Sequence, residues 1–158
     1  MQIRIATAAD APVLARMRFA FRDSMGQAVD AEAEFVARCG AWMAERLRSG
    51  TAWRCWVAED GGEIRGQLWL QLIEKVPNPG PELECHAYIT NVFVDPEARG
   101  QGAGEQLMAV AVSSCRDEGV DSIVLWPTER SRTLYARHGF EVPDDMMELV
   151  LDSGRQVH

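Results

Sequence analysis

Residues 94–105 form the segment whose residue types most clearly indicate a ligand. The run reads Val-Asp-Pro-Glu-Ala-Arg-Gly-Gln-Gly-Ala-Gly-Glu and lies between an apolar strand pattern and a helical pattern. Glycines let the backbone approach an anion closely. The first turn of a helix presents unpaired N–H groups and the positive end of the helix dipole. Two adjoining phosphates suit such a nest of amides.

Two familiar phosphate-binding turns are excluded by spacing. A P-loop requires Gly-Lys-Ser/Thr after the turn, and that sequence does not occur here. A dinucleotide-binding fingerprint requires a glycine at the position of Leu107. That fingerprint also lies in the first strand–helix unit of its fold, whereas this turn comes later in the chain. A flexible turn that binds no ligand remains the alternative on these residues alone.

The turn resembles the acetyl-CoA motif of the GNAT superfamily of N-acetyltransferases, R/Q-x-x-G-x-G/A after V-x-P. Here Val94 and Pro96 precede Arg99, Gly102 and Gly104 at that spacing. A second stretch, residues 134–140, reads Leu-Tyr-Ala-Arg-His-Gly-Phe and resembles the family's L-Y-x-x-x-G-F. The two motifs follow the family's order, and the resemblance covers about residues 3–151.

The resemblance implies that acetyl-CoA is the co-substrate and that no metal takes part. The pantetheine arm is expected along the backbone of Val92, Phe93 and Val94, where an N–H near Phe93 would polarise the thioester carbonyl. Thr128 stands where the family often has a cofactor-binding asparagine, and this departure leaves one hydroxyl for the contact. The pyrophosphate is expected on the segment that starts at the motif's arginine: Arg99, Gly100, Gln101, Gly102, Ala103, Gly104 and Glu105.

The family's general acid corresponds to Tyr135, which would protonate the departing thiolate of CoA. The alternative for Tyr135 is an aromatic packed on the core. The candidate bases lie on the fourth strand, where Glu84, His86 and Tyr88 alternate onto one face. Imidazoles in general titrate near neutral pH, and Glu84 could act through a water. For both residues a hydrogen-bonded surface role is the alternative.

The acceptor is expected to contact Trp69, Gln71 and Tyr88, between the N-terminal helices and the loop at residues 77–81. The alternative for Trp69 is a residue packed on the sheet. A small amine, an antibiotic, an amino acid and a protein N-terminus all fit this description. The reaction implied is direct transfer of the acetyl group to a primary amine in a ternary complex. The rival function is a non-catalytic module that binds acyl-CoA and regulates another process.

The elements that must hold these residues follow from hydrophobic period and turn chemistry. The predicted fold is α/β (α+β), the GNAT fold, with a mixed, twisted sheet of about six to seven strands flanked by about four helices. Helices are predicted at residues 10–22, 31–48, 104–118 and 131–138. Strands are predicted at residues 3–6, 53–59, 63–73, 83–94, 122–126, 140–142 and 146–151.

Composition limits the remaining function classes. The chain has 158 residues and a net charge of −8, which predicts one domain at 1–152 with a polar tail at 153–158 and disfavours nucleic-acid binding. The acidity mildly favours a cationic substrate, or serves solubility alone. The four cysteines form no metal-binding pattern.

No membrane-spanning run or signal peptide is apparent, so a cytoplasmic protein is predicted. Homodimerisation is left open.

Overall fold

The computed structural model describes residues 1–50, 52–81 and 85–152. By its internal contacts the chain divides into two compact units, residues 1–125 and 126–158. Each unit is described by itself below. Within the described ranges no helix is long and apolar enough to cross a membrane.

The first unit is built on one five-stranded sheet in the order β1-β2-β3-β4-β5. The first four strands run antiparallel to their neighbours, and β5 runs parallel to β4. A tight hairpin joins the strands predicted at residues 53–59 and 63–73, and Gly61 and Gly62 both take positive φ in it. The strands are β1 (Gln2–Ile5), β2 (Trp53–Asp60), β3 (Glu63–Glu74), β4 (Cys85–Val94) and β5 (Ser122–Val124).

Three helices complete this unit: α1 (Ala11–Asp23), α2 (Glu32–Ser49) and α3 (Ala103–Asp117). On one face of the sheet, Leu14 of α1 and Met43 of α2 form a buried core cluster with Trp69 of β3. Gly66 lies three residues before Trp69, so it faces the other side of the sheet. There it lies against Leu107 of α3. The sheet therefore separates α1 and α2 from α3.

Strand β4 contains an irregularity that bears on the site. Phe93 pairs with Gln67 while Thr90 pairs with Trp69, so β4 has one extra residue in this interval. Asn91 lies within it and takes φ +52°. Among the described residues, β5 pairs only with residues 86–88 of β4. The β5-facing edge of β4 is thus without a strand partner after Tyr88, as a bound extended group would require.

Close packing at Gly66 leads to a prediction about stability. A methyl group there would lie 3.2 Å from Leu107 Cδ1 and 3.4 Å from both Ala58 Cβ and Phe93 O. We expect Gly66→Ala to lower the free energy of unfolding by about 1–3 kcal/mol because these neighbours must shift. Urea titration measures the change. Gly80→Ala is the matched control, since no atom lies within 4 Å of its added methyl. Equal stability of the two variants would contradict the packing role.

The N-terminus of the first unit contains an ion-pair network with a predicted pH dependence. Arg4 binds Asp10 through two hydrogen bonds of 2.9 and 3.0 Å and Glu59 through one of 2.7 Å. The Arg4 hydrogen bonds lower the pKa of Asp10. A carboxyl whose pKa is lower in the folded chain stabilises the fold above its unfolded pKa. That contribution is lost as the pH falls through the folded pKa.

We therefore expect Asp10→Asn to cost about 1–2 kcal/mol of unfolding free energy at neutral pH. Asparagine keeps an oxygen for the Thr7 N–H, which donates to Asp10 Oδ2 at 2.7 Å, so the variant mainly removes charge. The difference from the native chain should shrink as the pH falls below about 4. Denaturation along a pH series measures it. Asp145→Asn, at an exposed position, is the control. A difference that does not vary with pH would contradict the assignment.

The second unit contains helix α4 (Arg132–Arg137), preceded by a 3-10 turn at Glu129–Ser131. The two strands predicted at residues 140–142 and 146–151 are absent from the described part of this unit. The sheet therefore has five strands rather than six or seven. Pro143 cannot donate a ladder hydrogen bond, and Val142 and Met147 are 84% and 97% exposed. An apolar pattern predicts a strand only where a neighbouring strand pairs with it. The predicted tail at 153–158 lies outside the described residues.

Candidate functional site

The predicted glycine turn connects the end of β4 to the start of α3. A 3-10 turn at Pro96–Ala98 follows β4, and Asp95 Oδ1 closes it by accepting the Glu97 N–H at 3.1 Å. Gly100 and Gly102 take φ +77° and +81°, the left-handed region that favours glycine. Of the two motif glycines, Gly102 is therefore required by the backbone, as is Gly100 before it, and the turn is a defined conformation.

The amides of the first turn of α3 are available in the way the sequence predicts. Gly102 is the N-cap of α3, and the first i to i−4 hydrogen bond runs from Gln106 N–H to Gly102 O at 3.0 Å. The amides of Ala103 and Gly104 precede that bond, so they have no acceptor one turn back. A methyl at Gly100 would meet no atom within 4 Å. An open space, free helix-start amides and the helix dipole together fit a phosphate or pyrophosphate.

Side chains hold the end of β4 against the turn and against α1. Arg99 Nε donates to Val94 O at 3.1 Å, and its guanidinium carbon lies 6.0 Å from the Phe93 ring centroid. Phe93 is 7% exposed, and its ring centroid lies 5.5 Å from that of Phe21 on α1. The motif arginine thus joins strand to turn. The backbone predicted to bind pantetheine and the turn predicted to bind pyrophosphate are held together.

In the second unit, Tyr135 lies on α4 and is 8% exposed, with its ring centroid 5.8 Å from that of Phe140. Gly139 takes φ +85°, which lets Phe140 N–H reach back to Tyr135 O at 3.1 Å. Burial raises the pKa of Tyr135, and a hydrogen bond with the Ser131 side chain opposes that rise. The phenol is therefore protonated at neutral pH, as a proton donor must be.

Thr128 and Ser131 form the capping box before α4. Thr128 N–H donates to Ser131 Oγ at 2.9 Å, and the two hydroxyls are 3.0 Å apart. The Thr128 hydroxyl thus has a structural partner, and its predicted contact with CoA stays a prediction. Ser131 was missed in the sequence, although Thr-x-x-Ser before a helix resembles a capping box. Its contact with Tyr135 makes it a residue that orients the predicted acid.

Of the two candidate bases, the structure describes only His86, which lies far along β4 from Phe93. His86 Nδ1 lies 2.7 Å from Ser122 Oγ, at the start of β4. His86 precedes Phe93 by seven residues, which is roughly 20 Å along an extended strand. Direct proton transfer from an amine bound beside Phe93 would exceed hydrogen-bond reach, so a base role for His86 requires a water chain. Glu84 lies outside the described residues. Both base roles stay predictions.

The predicted acceptor residues divide into a buried and a half-buried set. Trp69 is 2% exposed, and its indole N–H donates to Gln67 Oε1 at 2.9 Å. Gln67 in turn donates to Leu14 O at 3.1 Å, which fixes α1 on the sheet. The contacts of Trp69 are those of a core residue. Gln71 and Tyr88 are direct cross-strand partners and half-buried, so the structure brings these two together.

Arg18 of α1 and Asn91 of β4 contact each other, and neither is among the site residues predicted from the sequence. Arg18 Nη1 lies 3.4 Å from Asn91 Oδ1. In the sequence, α1 carries other charged residues besides Arg18. The helical period alone therefore does not distinguish Arg18 from a charged surface residue. The residue type of Asn91 gave a weak indication of its unusual backbone, because asparagine is enriched among non-glycine residues with positive φ.

The candidate site thus consists of a bulged end of β4, without a strand partner on one edge among the described residues, beside a glycine-rich helix start. Residues 20–140 match the acetyltransferase (GNAT) family. That match covers more than half of the chain, and the chain belongs to this family.

Individual relatives agree with the family assignment. The chain is 32% identical over 110 residues, 64% of its length, to a mycothiol acetyltransferase from Geodermatophilus obscurus, and spans 35% of that relative. It is 28% identical over 106 residues to a glucosamine 6-phosphate N-acetyltransferase from Trypanosoma brucei brucei, covering 67% of this chain and 70% of the relative. A GCN5-related N-acetyltransferase from Ralstonia eutropha JMP134 has a solved structure that superposes with a TM-score of 0.77. It is 30% identical, covering 94% of this chain and 97% of that one.

Proposed function

We propose that this chain transfers the acetyl group of acetyl-CoA directly to a primary amine, in a ternary complex and without a covalent enzyme intermediate. The observation that carries the proposal is the glycine turn. Its positive-φ glycines, Gly100 and Gly102, precede the amides of Ala103 and Gly104, which have no acceptor one turn back in α3. The adjacent end of β4 lacks a strand partner on one edge among the described residues. A pyrophosphate and a pantetheine arm are the two groups that such neighbouring sites suit.

Each part of acetyl-CoA has a proposed contact. The pyrophosphate accepts hydrogen bonds from the backbone of residues 100–105, and the pantetheine arm pairs with the backbone of residues 92–94. A backbone N–H near Phe93 polarises the thioester carbonyl, a contact typically worth about 3–4 kcal/mol in the transition state.

The reaction is a nucleophilic substitution at the thioester carbon. The neutral amine forms the C–N bond, the carbonyl oxygen takes negative charge in the tetrahedral intermediate, and the C–S bond then breaks. Tyr135 donates its phenolic proton to the leaving thiolate. The phenol is protonated at neutral pH, as a proton donor must be, and burial raises its pKa further. The proton lost by the amine passes to water or to a base, for which His86 and Glu84 stay the candidates.

The acceptor is proposed to be a small molecule with a primary amine. This rests on the names of the relatives, one of which is a glucosamine 6-phosphate N-acetyltransferase. Gln71 and Tyr88, paired across β3 and β4, are the half-buried polar side chains proposed to contact it.

The test is release of CoA thiol from acetyl-CoA in the presence of a panel of primary amines, with the product identified by its mass. We expect an N-acetyl product and initial-rate plots that intersect, as a ternary complex requires. Parallel plots with a stable acetyl-enzyme would contradict direct transfer. Tight binding of acetyl-CoA with no product from any amine would favour the non-catalytic acyl-CoA-binding module.

A further inference from the structure

The side chain of Arg18 is a shielded positive charge on the inner side of α1. The residue is half-buried. Its Nη1 lies 3.4 Å from Asn91 Oδ1, and its guanidinium carbon lies 5.7 Å from the Phe21 ring centroid. Both neighbours are electrically neutral. Over the residues that the structure describes, Arg18 forms no ion pair with a carboxylate.

This separates Arg18 from four other half-buried arginines of the first unit. They have side-chain exposures between 26% and 33%, and each is paired with at least one carboxylate. They are Arg4, Arg46, Arg54 and Arg65. Carboxylates are abundant in this chain, with 24 acidic against 16 basic residues. Over the described residues, Arg22 on the next turn of α1 is also half-buried and forms no ion pair, so the uncompensated positive charge is a feature of this face of the helix.

The groups around Arg18 do not compensate its charge. Burial lowers its pKa, and the neighbouring Arg22 guanidinium lowers it further. The other titratable groups that face it are the Cys39 thiol and the Tyr88 phenol. Burial raises the pKa of Cys39, so that thiol is uncharged at neutral pH. An arginine stays protonated even there, and an arriving anion would relieve the cost of the shielded charge.

The location of Arg18 relates it to the proposed chemistry. Asn91, its hydrogen-bond partner, lies in the bulge of β4 with φ +52°. Phe93, beside which the thioester of acetyl-CoA is proposed to bind, is two residues further and packs against Phe21, one helical turn from Arg18 on α1. A molecule held by Arg18 would thus lie on the α1 side of the strand end where acetyl transfer is proposed.

We propose that Arg18 binds an anionic group of the acceptor, so that the acceptor is an amine that also carries a carboxylate or a phosphate. The inference rests on the proposed function and specifies its substrate class. The planar guanidinium suits either anion, since both accept two parallel N–H hydrogen bonds. Asn91 fixes the orientation of the guanidinium before the acceptor arrives.

The test compares amines that differ in the anionic group. The pairs are phosphoethanolamine with ethanolamine, and β-alanine with n-propylamine. Thiol release gives kcat/KM for the native chain, Arg18→Met, Arg18→Lys and Arg16→Met. Arg16 is exposed on the same helix and is the matched control. We expect the native chain and Arg16→Met to prefer at least one anionic amine about tenfold or more.

In Arg18→Met that preference should fall to within about twofold of unity, because kcat/KM for the anionic amine falls. Arg18→Lys should retain part of the preference, because lysine keeps the positive charge but cannot donate two parallel hydrogen bonds to one anion. The pair that shows the preference identifies phosphate or carboxylate as the group. No preference in the native chain for either pair, or an unchanged preference in Arg18→Met, would overturn the proposal.

A second measurement separates this proposal from the catalytic one. The ³¹P line of phosphoethanolamine is recorded with the native chain and with Arg18→Met, in the absence of acetyl-CoA. We expect broadening with the native chain that is lost in the variant, whether or not acetyl transfer is observed. Equal broadening would overturn the assignment of Arg18 even if the enzyme proves active. If no thiol is released but the broadening still depends on Arg18, the proposed acetyl transfer is contradicted and the assignment of Arg18 stands.

Discussion

Gly102→Asp is expected to weaken acetyl-CoA binding by about a hundredfold or more, or about 2.7 kcal/mol. Gly102 takes φ +81° at the N-cap of α3, a conformation that side chains rarely adopt. The new carboxylate would also stand where the pyrophosphate is proposed to accept the first-turn amides. Space is a minor factor, since the added Cβ would be 3.6 Å from Gln106 Nε2. Calorimetric titration with acetyl-CoA measures the loss.

Two variants separate the causes of that effect. Gly102→Ala introduces the strain without the charge, and should bind with intermediate affinity. Gly61→Asp adds the same charge at another glycine with positive φ, in the β2–β3 hairpin, and should bind acetyl-CoA normally. Unchanged affinity in Gly102→Asp, with a folded protein by circular dichroism, would remove the phosphate role of this turn.

Tyr135→Phe is expected to lower kcat by about a hundredfold or more, while the affinity for acetyl-CoA changes little. Phenylalanine keeps the packing against Phe140 and removes only the hydroxyl whose pKa burial raises. Without a proton donor, the CoA thiolate must leave unprotonated. Thiol-release kinetics at saturating acetyl-CoA, together with a separate binding titration, give the two quantities.

The only other tyrosine in the chain, Tyr88, provides the matched control. Tyr88→Phe also removes one phenolic hydroxyl, but from a residue proposed to contact the acceptor. Its main effect should therefore be on KM for the amine. Full activity of Tyr135→Phe, or the same loss of kcat in both variants, would contradict the assignment of Tyr135 as the acid.

Much of the fold could be predicted from local chemistry. The Thr7–Asp10 capping box, the Gly61–Gly62 hairpin and the glycine cap at Gly119 each fix an element boundary by backbone geometry that the sequence states directly. The buried stripe of α3, including Leu107 and Cys115, follows the predicted helical spacing. These features depend on residues near one another in the chain, which is why they were predicted within one or two residues.

The parts that were missed depend on distant contacts. The strands expected at residues 140–142 and 146–151 have an apolar pattern but no pairing partner among the described residues. The environment of Arg18 depends on Asn91, 73 residues away, and on the absence of a nearby carboxylate. Trp69 is predicted to contact the acceptor or to pack on the sheet, and α1 and α2 bury it in the core. None of these relations is visible in local periodicity.

The most direct test of the central claim is a titration of ¹⁵N-labelled protein with acetyl-CoA, followed through assigned backbone amides. We expect saturable binding at micromolar concentrations. The largest shifts should occur at residues 100–105 and 92–94, with glycine amides 100, 102 and 104 foremost. No shift at millimolar acetyl-CoA, or saturable shifts confined to other parts of the chain, would contradict the proposed binding site.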